Sequence, residues 1–265
     1  MPRFTDSWKR IDRALLHGRA ISKGWKSIFD PFAQPEIERR GETQYVAKVK
    51  LKREDSNDLS LELGEYVYQL RAALDGVAFE VMVLETSDPP PKENRVEFPI
   101  YDDPERFKNA PFIKYPQFPL EVKDWLESLQ PYNLGKSSDP DTNELTRRLK
   151  LLHALSRKDR HRRLHVVIGA LSELKPHFRF TPNITISNVQ PIPIDFMGDS
   201  TDFLSFDAVC SDGKASNITL ITMGQIEFGI ADIDYCFGQE TMNELERLML
   251  ATRNIVQVFE MGYPL

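Results

Sequence analysis

One segment of the sequence concentrates side chains that could bind phosphate, transfer protons or hold a metal ion. This segment, LHALSRKDRHRRLH over residues 152–165, contains three of the five histidines of the 265-residue chain. Eight Lys and Arg residues accompany a single acid, Asp159, between positions 147 and 163. A solvated helix face usually mixes both signs of charge, so this bias favours an anionic partner.

Phosphate binding is the first chemistry that the segment could support. Five basic side chains would lie around one helix and could form charge-assisted hydrogen bonds to a nucleic-acid backbone: Arg157, Lys158, Arg160, Arg162 and Arg163. The aromatic residues that form a stacking platform for single strands are missing from the segment. The prediction of RNA or a nucleotide as the partner thus depends on the concentration of positive charge and not on aromatic stacking.

Metal binding is a second chemistry, because His161 and His165 are four residues apart and would project from one helix face. No acidic residue stands between them as in the zincin pattern, and no third ligand is evident. A histidine pair alone is weak evidence, so we predict neither a resident metal nor a cofactor.

Acid–base catalysis is the third chemistry. Arg160 and His165, separated by four residues, resemble the signature of HEPN ribonucleases, an Arg followed by a His near a helix end. The resemblance implies a metal-independent endoribonuclease of a bacterial defence or toxin system. The His would transfer a proton at the ribose hydroxyl or leaving oxygen, and the Arg would stabilise the phosphorane-like charge. Alternatively, the Arg side chains pair with acids and the His side chains are partly buried in a structural helix.

A second polar pair, Arg71 and Asp75, lies in GEYVYQLRAALDG at helical i,i+4 spacing, beside an apolar stripe. One interpretation is a local surface ion pair that contributes a few tenths of a kcal/mol. The other is that the pair faces the basic helix and orients its polar residues. This second interpretation predicts side-chain contact with Asp159, His161 or Arg162.

Four motifs follow in order along the chain: LGE-x-x-x-Q-L-R-x-x-L-D at 63–75, EFPI at 97–100, LQPY at 129–132, and L-x-x-L-H-x-L with D-x-H-R over 149–162. Together they resemble an uncharacterised family of bacterial proteins, over about residues 60–165. The resemblance implies no activity. It does mark a set of polar positions, which are Arg71, Asp75, Asp159, His161 and Arg162.

The chain departs from that family pattern at four positions. Gln69 stands where the pattern has Asn, Gly76 where it has His, Arg157 where it has Asn and Arg160 where it has Lys. The family pattern features His161, whereas HEPN spacing selects His165. Which histidine is functional therefore stays open at this point.

Hydrophobic periodicity predicts an α+β fold with a helical block over about 1–172. The resemblance to HEPN ribonucleases implies that this block contains a HEPN-like helix pair. A strand-rich part over about 173–236 would form an antiparallel sheet, and Asp212-Gly213 would connect a hairpin. A closing helix over about 239–260 would return to the first block. We therefore predict a single integrated domain over 1–265.

Composition excludes several classes of protein. Two cysteines are too few for a disulfide scaffold, and no apolar run approaches the roughly 18 residues that cross a bilayer. The start, MPRFTDSWKRIDRALLHG, lacks the apolar core of a signal peptide. The net charge of −6 is distributed unevenly, because the stretch 190–246 is strongly acidic. If this acidic stretch lies apart from the basic segments, the basic face can attract an anion; if it packs beside them, it neutralises their charge. We predict a cytoplasmic protein without a membrane partner.

Two functions are consistent with these patterns. The first is an RNA- or nucleotide-directed HEPN-like endoribonuclease, with Arg160, His165 and His161 as catalytic candidates. The residues expected to bind its substrate are Arg157, Arg162, Arg163, Arg71, Asp75 and Asp159. The second is a non-catalytic binding or interaction module whose Arg/Asp/His cluster is a structural polar network. A second copy of the chain is a further candidate partner.

Overall fold

The computed structural model describes residues 4–28, 35–50, 53–116, 118, 120–160, 167–172, 177–179, 183–192, 200–210, 218–222, 225–230 and 239–262. The helices within these ranges are α1 (Thr5–Ile28), α2 (Arg53–Glu85), α3 (Pro104–Lys108), α4 (Pro111–Lys114), α5 (Leu120–Ser128), α6 (Pro140–Arg160) and α7 (Gln239–Gly262). The strands are β1 (Glu36–Arg39), β2 (Gln44–Lys50), β3 (Val167–Ser172), β4 (His177–Arg179), β5 (Ile184–Pro191), β6 (Ser200–Cys210), β7 (Thr219–Thr222) and β8 (Gln225–Ile230). The predicted α+β class, with its antiparallel sheet and C-terminal helix, is confirmed.

The chain divides into two compact units, neither of which is continuous in sequence. The first comprises Met1–Arg19, Glu62–His165 and Asn243–Leu265, and the second comprises Ala20–Leu61 and Val166–Met242. The first unit is helical and contains every candidate site residue. The single integrated domain stays a prediction.

Helix α2 has the apolar stripe that its sequence predicts. The buried members of the stripe recur every three or four residues: Leu63, Val67, Leu70, Leu74, Val77 and Val81. The same period in the sequence also predicts Leu84 as a buried member of the stripe, and this prediction is wrong, because Leu84 is 49% exposed. Gly76 permits a close approach to α1, since a Cβ atom at this position would lie 2.8 Å from Ser7 Oγ.

The second unit contains a four-stranded antiparallel sheet in the order β1-β2-β6-β5. Opposite each other on β2 and β6, Tyr45 and Phe206 stack with ring centroids 5.7 Å apart. Their neighbours Ala47, Leu204 and Leu220 are buried, so one side of the sheet covers an apolar core.

The predicted hairpin at Asp212-Gly213 is wrong. Strand β6 already has β2 on one edge and β5 on the other, and β7 pairs with β4 instead. The two residues of the predicted turn lie outside the described part of the chain. Alternating apolar residues indicate which face of a strand is buried, but they do not identify the neighbouring strand.

The prolines of segment 86–119 predict a long loop with one short helix over Pro104–Lys108, whereas the structure contains more helix than that. The predicted short helix α3 has its expected bounds, and it begins where the Asp103 side chain accepts a hydrogen bond from the Glu105 amide. Two further short elements, the 3₁₀ helix Glu93–Arg95 and α4, occupy stretches that were predicted as loop. Both are too short to show a hydrophobic period in the sequence.

Candidate functional site

Four of the predicted site residues lie outside the described residues: His161, Arg162, Arg163 and His165. Helix α6 carries Arg157 and Arg160 on its backbone, but the side chains of Asp159 and Arg160 also lie outside the described part. Contact of Arg71 or Asp75 with Asp159, His161 or Arg162 therefore stays a prediction.

The described part of α6 has one exposed face that is rich in positive charge. Arg147, Lys150 and Arg157 are exposed at spacings of three and seven residues, so they follow one side of the helix. The residue between them on this face is Ala154, which is also exposed. We call these three basic residues the basic stripe, and the helix sequence from Arg147 to Arg157 contains no carboxylate.

The opposite face of α6 packs into the first unit, where Leu149, Leu152 and Leu155 are each 1% exposed. This apolar face fixes the direction in which the basic stripe points. The start of the helix is fixed by Asp139, whose carboxylate accepts hydrogen bonds from the Thr142 hydroxyl and amide. These bonds lower the pKa of Asp139 below its ordinary value.

One basic residue of α6 belongs to the core. Arg148 is 2% exposed and forms ion pairs with Glu144 on its own helix and with Glu244 on α7. Glu244 also accepts a hydrogen bond from Arg247 at 2.9 Å. Arg148 is therefore a link between α6 and α7 and is not available to an anionic partner.

Arg71 is buried and Asp75 half-buried in their ion pair, whereas one sequence interpretation placed the pair at the surface. Arg71 is 3% exposed, and its Nη2 lies 2.9 Å from Asp75 Oδ1. Nη2 also donates to the carbonyl oxygen of Phe98 at 2.8 Å, and the Phe98 amide donates to Asp75 Oδ1 at 2.9 Å. We call Arg71 and Asp75 the Phe98 clamp, because they bind both polar groups of one residue.

The side chain of Gln130 also binds the backbone next to Phe98. This fully buried side chain donates from Nε2 to the carbonyl of Pro99 at 3.0 Å and accepts at Oε1 from the amide of Tyr101 at 2.9 Å. Nε2 also donates to Leu126 at the end of α5. Residues from three of the four sequence motifs therefore meet at one backbone segment, 97–101.

A cavity of about 600 Å³ lies beside the Phe98 clamp, and its polar lining includes Asp75, Arg95, Glu97, Tyr101, Arg106 and Asn109. Burial and the neighbouring Glu97 carboxylate raise the pKa of Tyr101 to about 12, and its hydroxyl donates to Glu97 Oε1 at 3.2 Å. The Arg106 guanidinium lies 5.6 Å from the centroid of the Tyr101 ring. This stacking and the hydrogen bond hold Tyr101 in place at the wall of the cavity.

Gln130 and the cavity residues Glu97, Tyr101 and Arg106 were not predicted from the sequence. Glu97 and Gln130 belong to the EFPI and LQPY motifs, which could have marked them as candidates. The partners of Gln130 are backbone atoms, however, and every residue type has these atoms, so the sequence does not reveal the contacts. Arg106 had no signal beyond its position on a short helix.

No protein-family model, curated protein or solved structure matches the chain. Within the described ranges, no group of three or more His, Cys, Asp or Glu side chains is placed to hold a metal ion. None of the helices in those ranges combines the length and apolar composition needed to span a bilayer. A functional proposal for this chain therefore rests on the positions and contacts of its own residues.

Proposed function

We propose that the chain binds single-stranded RNA through the basic stripe of α6 and the basic residues that follow it, Lys158 to Arg163. The observation that carries this proposal is the exposure of Arg147, Lys150 and Arg157 on one helix face without a carboxylate among them. Arg71 and Asp75 were also candidates for substrate binding, but their hydrogen bonds to Phe98 favour a structural role.

The dimensions of the stripe suit a nucleic-acid backbone. A helix rises 1.5 Å per residue, so Arg147 and Arg157 are separated by about 15 Å along the axis. Guanidinium and ammonium groups at this spacing can contact successive phosphates of an extended strand. Each such contact releases condensed counterions and adds about 0.7 to the salt dependence of binding to a single strand.

The proposal extends to cleavage through Arg160 and His165, which have the spacing of the HEPN signature. The histidine would take or give the proton, and the arginine would stabilise charge on the phosphorus oxygens. Arg160 and His165 follow Arg157, the last residue of the stripe, by three and eight residues in the sequence. His161 is the alternative catalytic residue that the bacterial family pattern favours.

RNA binding is tested by fluorescence polarisation of a labelled single-stranded RNA between 50 and 200 mM salt. The triple variant Arg147→Gln/Lys150→Gln/Arg157→Gln should weaken binding and lower the slope of log K against log salt by about 2. A matched control removes three exposed lysines from the same unit: Lys108, Lys114 and Lys136. Binding that is independent of salt, or equal effects of the two triple variants, would contradict the proposal.

Cleavage is tested with the same RNA in the presence of a metal chelator. His165→Ala and Arg160→Ala should each abolish cleavage without changing the thermal midpoint, because both act on one transition state. His161→Ala should lower the thermal midpoint and retain activity. The reverse pattern would transfer the role to His161, and equal activity in all three variants would refute catalysis by this segment.

A non-catalytic interaction module is the second candidate function, and the Phe98 clamp favours it. Arg71 and Asp75 bind the carbonyl and the amide of Phe98, and a buried polar network of this kind stabilises a fold without participating in chemistry. In that case the first unit would serve as a scaffold, and the variants above would change binding of a partner but no reaction. RNA that binds but is never cleaved would support this second function.

A further inference from the structure

The cavity beside the Phe98 clamp has the size of a small-molecule site and is separate from the basic stripe. Its volume of about 600 Å³ lies within the range of roughly 300–1,000 Å³ typical of ligand pockets. All its lining residues lie between positions 75 and 111, within the first unit. The proposed RNA site uses none of its arginines.

The two carboxylates of the cavity are already partly compensated by a buried cation. Asp75 is bound to Arg71 and to the Phe98 amide, and Glu97 Oε2 lies 3.7 Å from Arg71 Nη2. The Nη1 atom of Arg71 is buried without a hydrogen-bond partner among the described residues. Arg71 therefore offsets the negative charge of this wall, although it does not itself line the cavity.

Two further guanidinium groups line the cavity and are open to a ligand. Arg95 and Arg106 are exposed, and in the described part of the chain neither forms an ion pair with a carboxylate. The lining contains two guanidinium groups and two carboxylates, and Arg71 pairs with both carboxylates, so Arg95 and Arg106 are the charged donors that an anion can use. A guanidinium presents paired N–H donors whose geometry matches phosphate oxygens.

Glu97 provides the complementary acceptor. Its side chain is 46% exposed, so its oxygens keep lone pairs available beyond the hydrogen bond from Tyr101. A carboxylate beside two guanidinium groups repels a bare anion but accepts hydrogen bonds from neighbouring hydroxyls. We propose that this cavity binds a hydroxylated organic phosphate of the phosphorylated-ribose type, with its phosphate on Arg95 and Arg106 and its hydroxyls on Glu97.

The test is isothermal titration calorimetry of the full chain with ribose 5-phosphate, adenosine monophosphate and inorganic phosphate. Both organic phosphates should bind more tightly than inorganic phosphate. The double variant Arg95→Gln/Arg106→Gln should weaken their binding about tenfold or more, because hydrogen bonds to charged groups are lost. The control Lys108→Gln/Lys114→Gln removes the same charge from nearby exposed residues outside the cavity lining and should leave affinity unchanged.

The variant Glu97→Gln tests the proposed hydroxyl contact separately from the proposed phosphate contact. It should weaken binding of ribose 5-phosphate and leave the binding of inorganic phosphate unchanged or stronger. Three results would overturn the proposal: no binding of either organic phosphate at millimolar concentration, equal binding of inorganic phosphate, or wild-type affinity in the double arginine variant. Adenosine monophosphate binding more tightly than ribose 5-phosphate would identify a nucleotide as the preferred source of the phosphorylated ribose.

Discussion

The carboxylate of Asp75 accepts the backbone amide of Phe98, with 2.9 Å between Oδ1 and the nitrogen. Arg71, one helical turn earlier, donates to the carbonyl of the same residue. The LR-x-x-LD motif therefore supplies two side chains, and the EFPI motif supplies the backbone that they hold. This pairing gives a physical reason for the two motifs to occur together in one chain.

The Phe98 clamp should be a large contributor to stability. Arg71→Ala would leave the Phe98 carbonyl without its donor and Asp75 without its cation, so we expect a loss of about 3–5 kcal/mol in the free energy of unfolding. Arg157→Ala, on the exposed stripe, should change it by less than about 0.5 kcal/mol. Urea denaturation of both variants measures the difference, and comparable small losses would contradict a buried clamp.

Gln130 should matter nearly as much, although it carries no charge. Gln130→Leu conserves much of the volume but leaves the Pro99 carbonyl and the Tyr101 amide without their partner, at a cost of about 2–4 kcal/mol. The exposed Gln257 on α7 provides the control substitution Gln257→Leu, which should be nearly neutral. Equal midpoints in thermal unfolding would show that the 97–101 backbone does not depend on Gln130.

The close approach at Gly76 predicts a coupled pair of substitutions. Gly76→Ala would place a methyl group 2.8 Å from Ser7 Oγ, and Ser7 is fully buried and donates to the Ala73 carbonyl. The substitution should destabilise the protein, despite the better helix propensity of alanine. Adding Ser7→Ala removes the obstructing oxygen, so the double variant should be more stable than the sum of the single effects by about 1 kcal/mol. Simple additivity in a double-mutant cycle would contradict this packing.

Glu80 should give the protein a measurable pH dependence. Burial raises the pKa of Glu80 from its ordinary value of 4.5, and Asp6 raises it further, against the hydrogen bond from the Phe4 amide. The folded state then holds this proton more tightly than the unfolded state, so the contribution of Glu80 to stability falls as pH rises above about 4.5. In Glu80→Gln this part of the decrease should disappear.

Chemical denaturation at pH 4 and pH 7 checks the Glu80 prediction. The Glu80→Gln variant should lose less stability than the wild type between the two values. Glu85→Gln, an exposed residue at the end of the same helix, controls for the general effect of removing a carboxylate. Parallel pH profiles for wild type and Glu80→Gln would contradict the prediction.

Helices with a continuous apolar stripe could be predicted from the sequence. The period that predicted α2 is confirmed by six buried residues, and α7 buries its predicted members Leu245, Val256 and Phe259. Strand neighbours could not be predicted in this way, because β7 pairs with β4 across a long stretch of sequence. Nothing in a two-residue period specifies that choice of partner.

For the candidate site too, the sequence predicts contacts within one helix but does not predict contacts with distant parts of the chain. The pairing of Arg71 with Asp75 could be predicted from its i,i+4 spacing, but the role of Phe98 could not, since its contribution is a backbone amide and carbonyl. Arg148 is one of the eight basic residues between positions 147 and 163, and its ion pair with Glu244, on a helix distant in sequence, could not be predicted from that pattern. The contacts of His161 and His165 stay predictions.

The ion pair between Arg148 and Glu244 also has a consequence for synthesis. The ribosome must add about a hundred residues after Arg148 before its partner exists, which takes roughly 5–20 s at ordinary rates of translation. During that interval Arg148 has Glu144 as a partner but lacks the second carboxylate, Glu244, that compensates its charge in the folded core. A ribosome that stalls before Asn243 would therefore present an incomplete helical core, and such a chain should be a preferred substrate for chaperones and proteases.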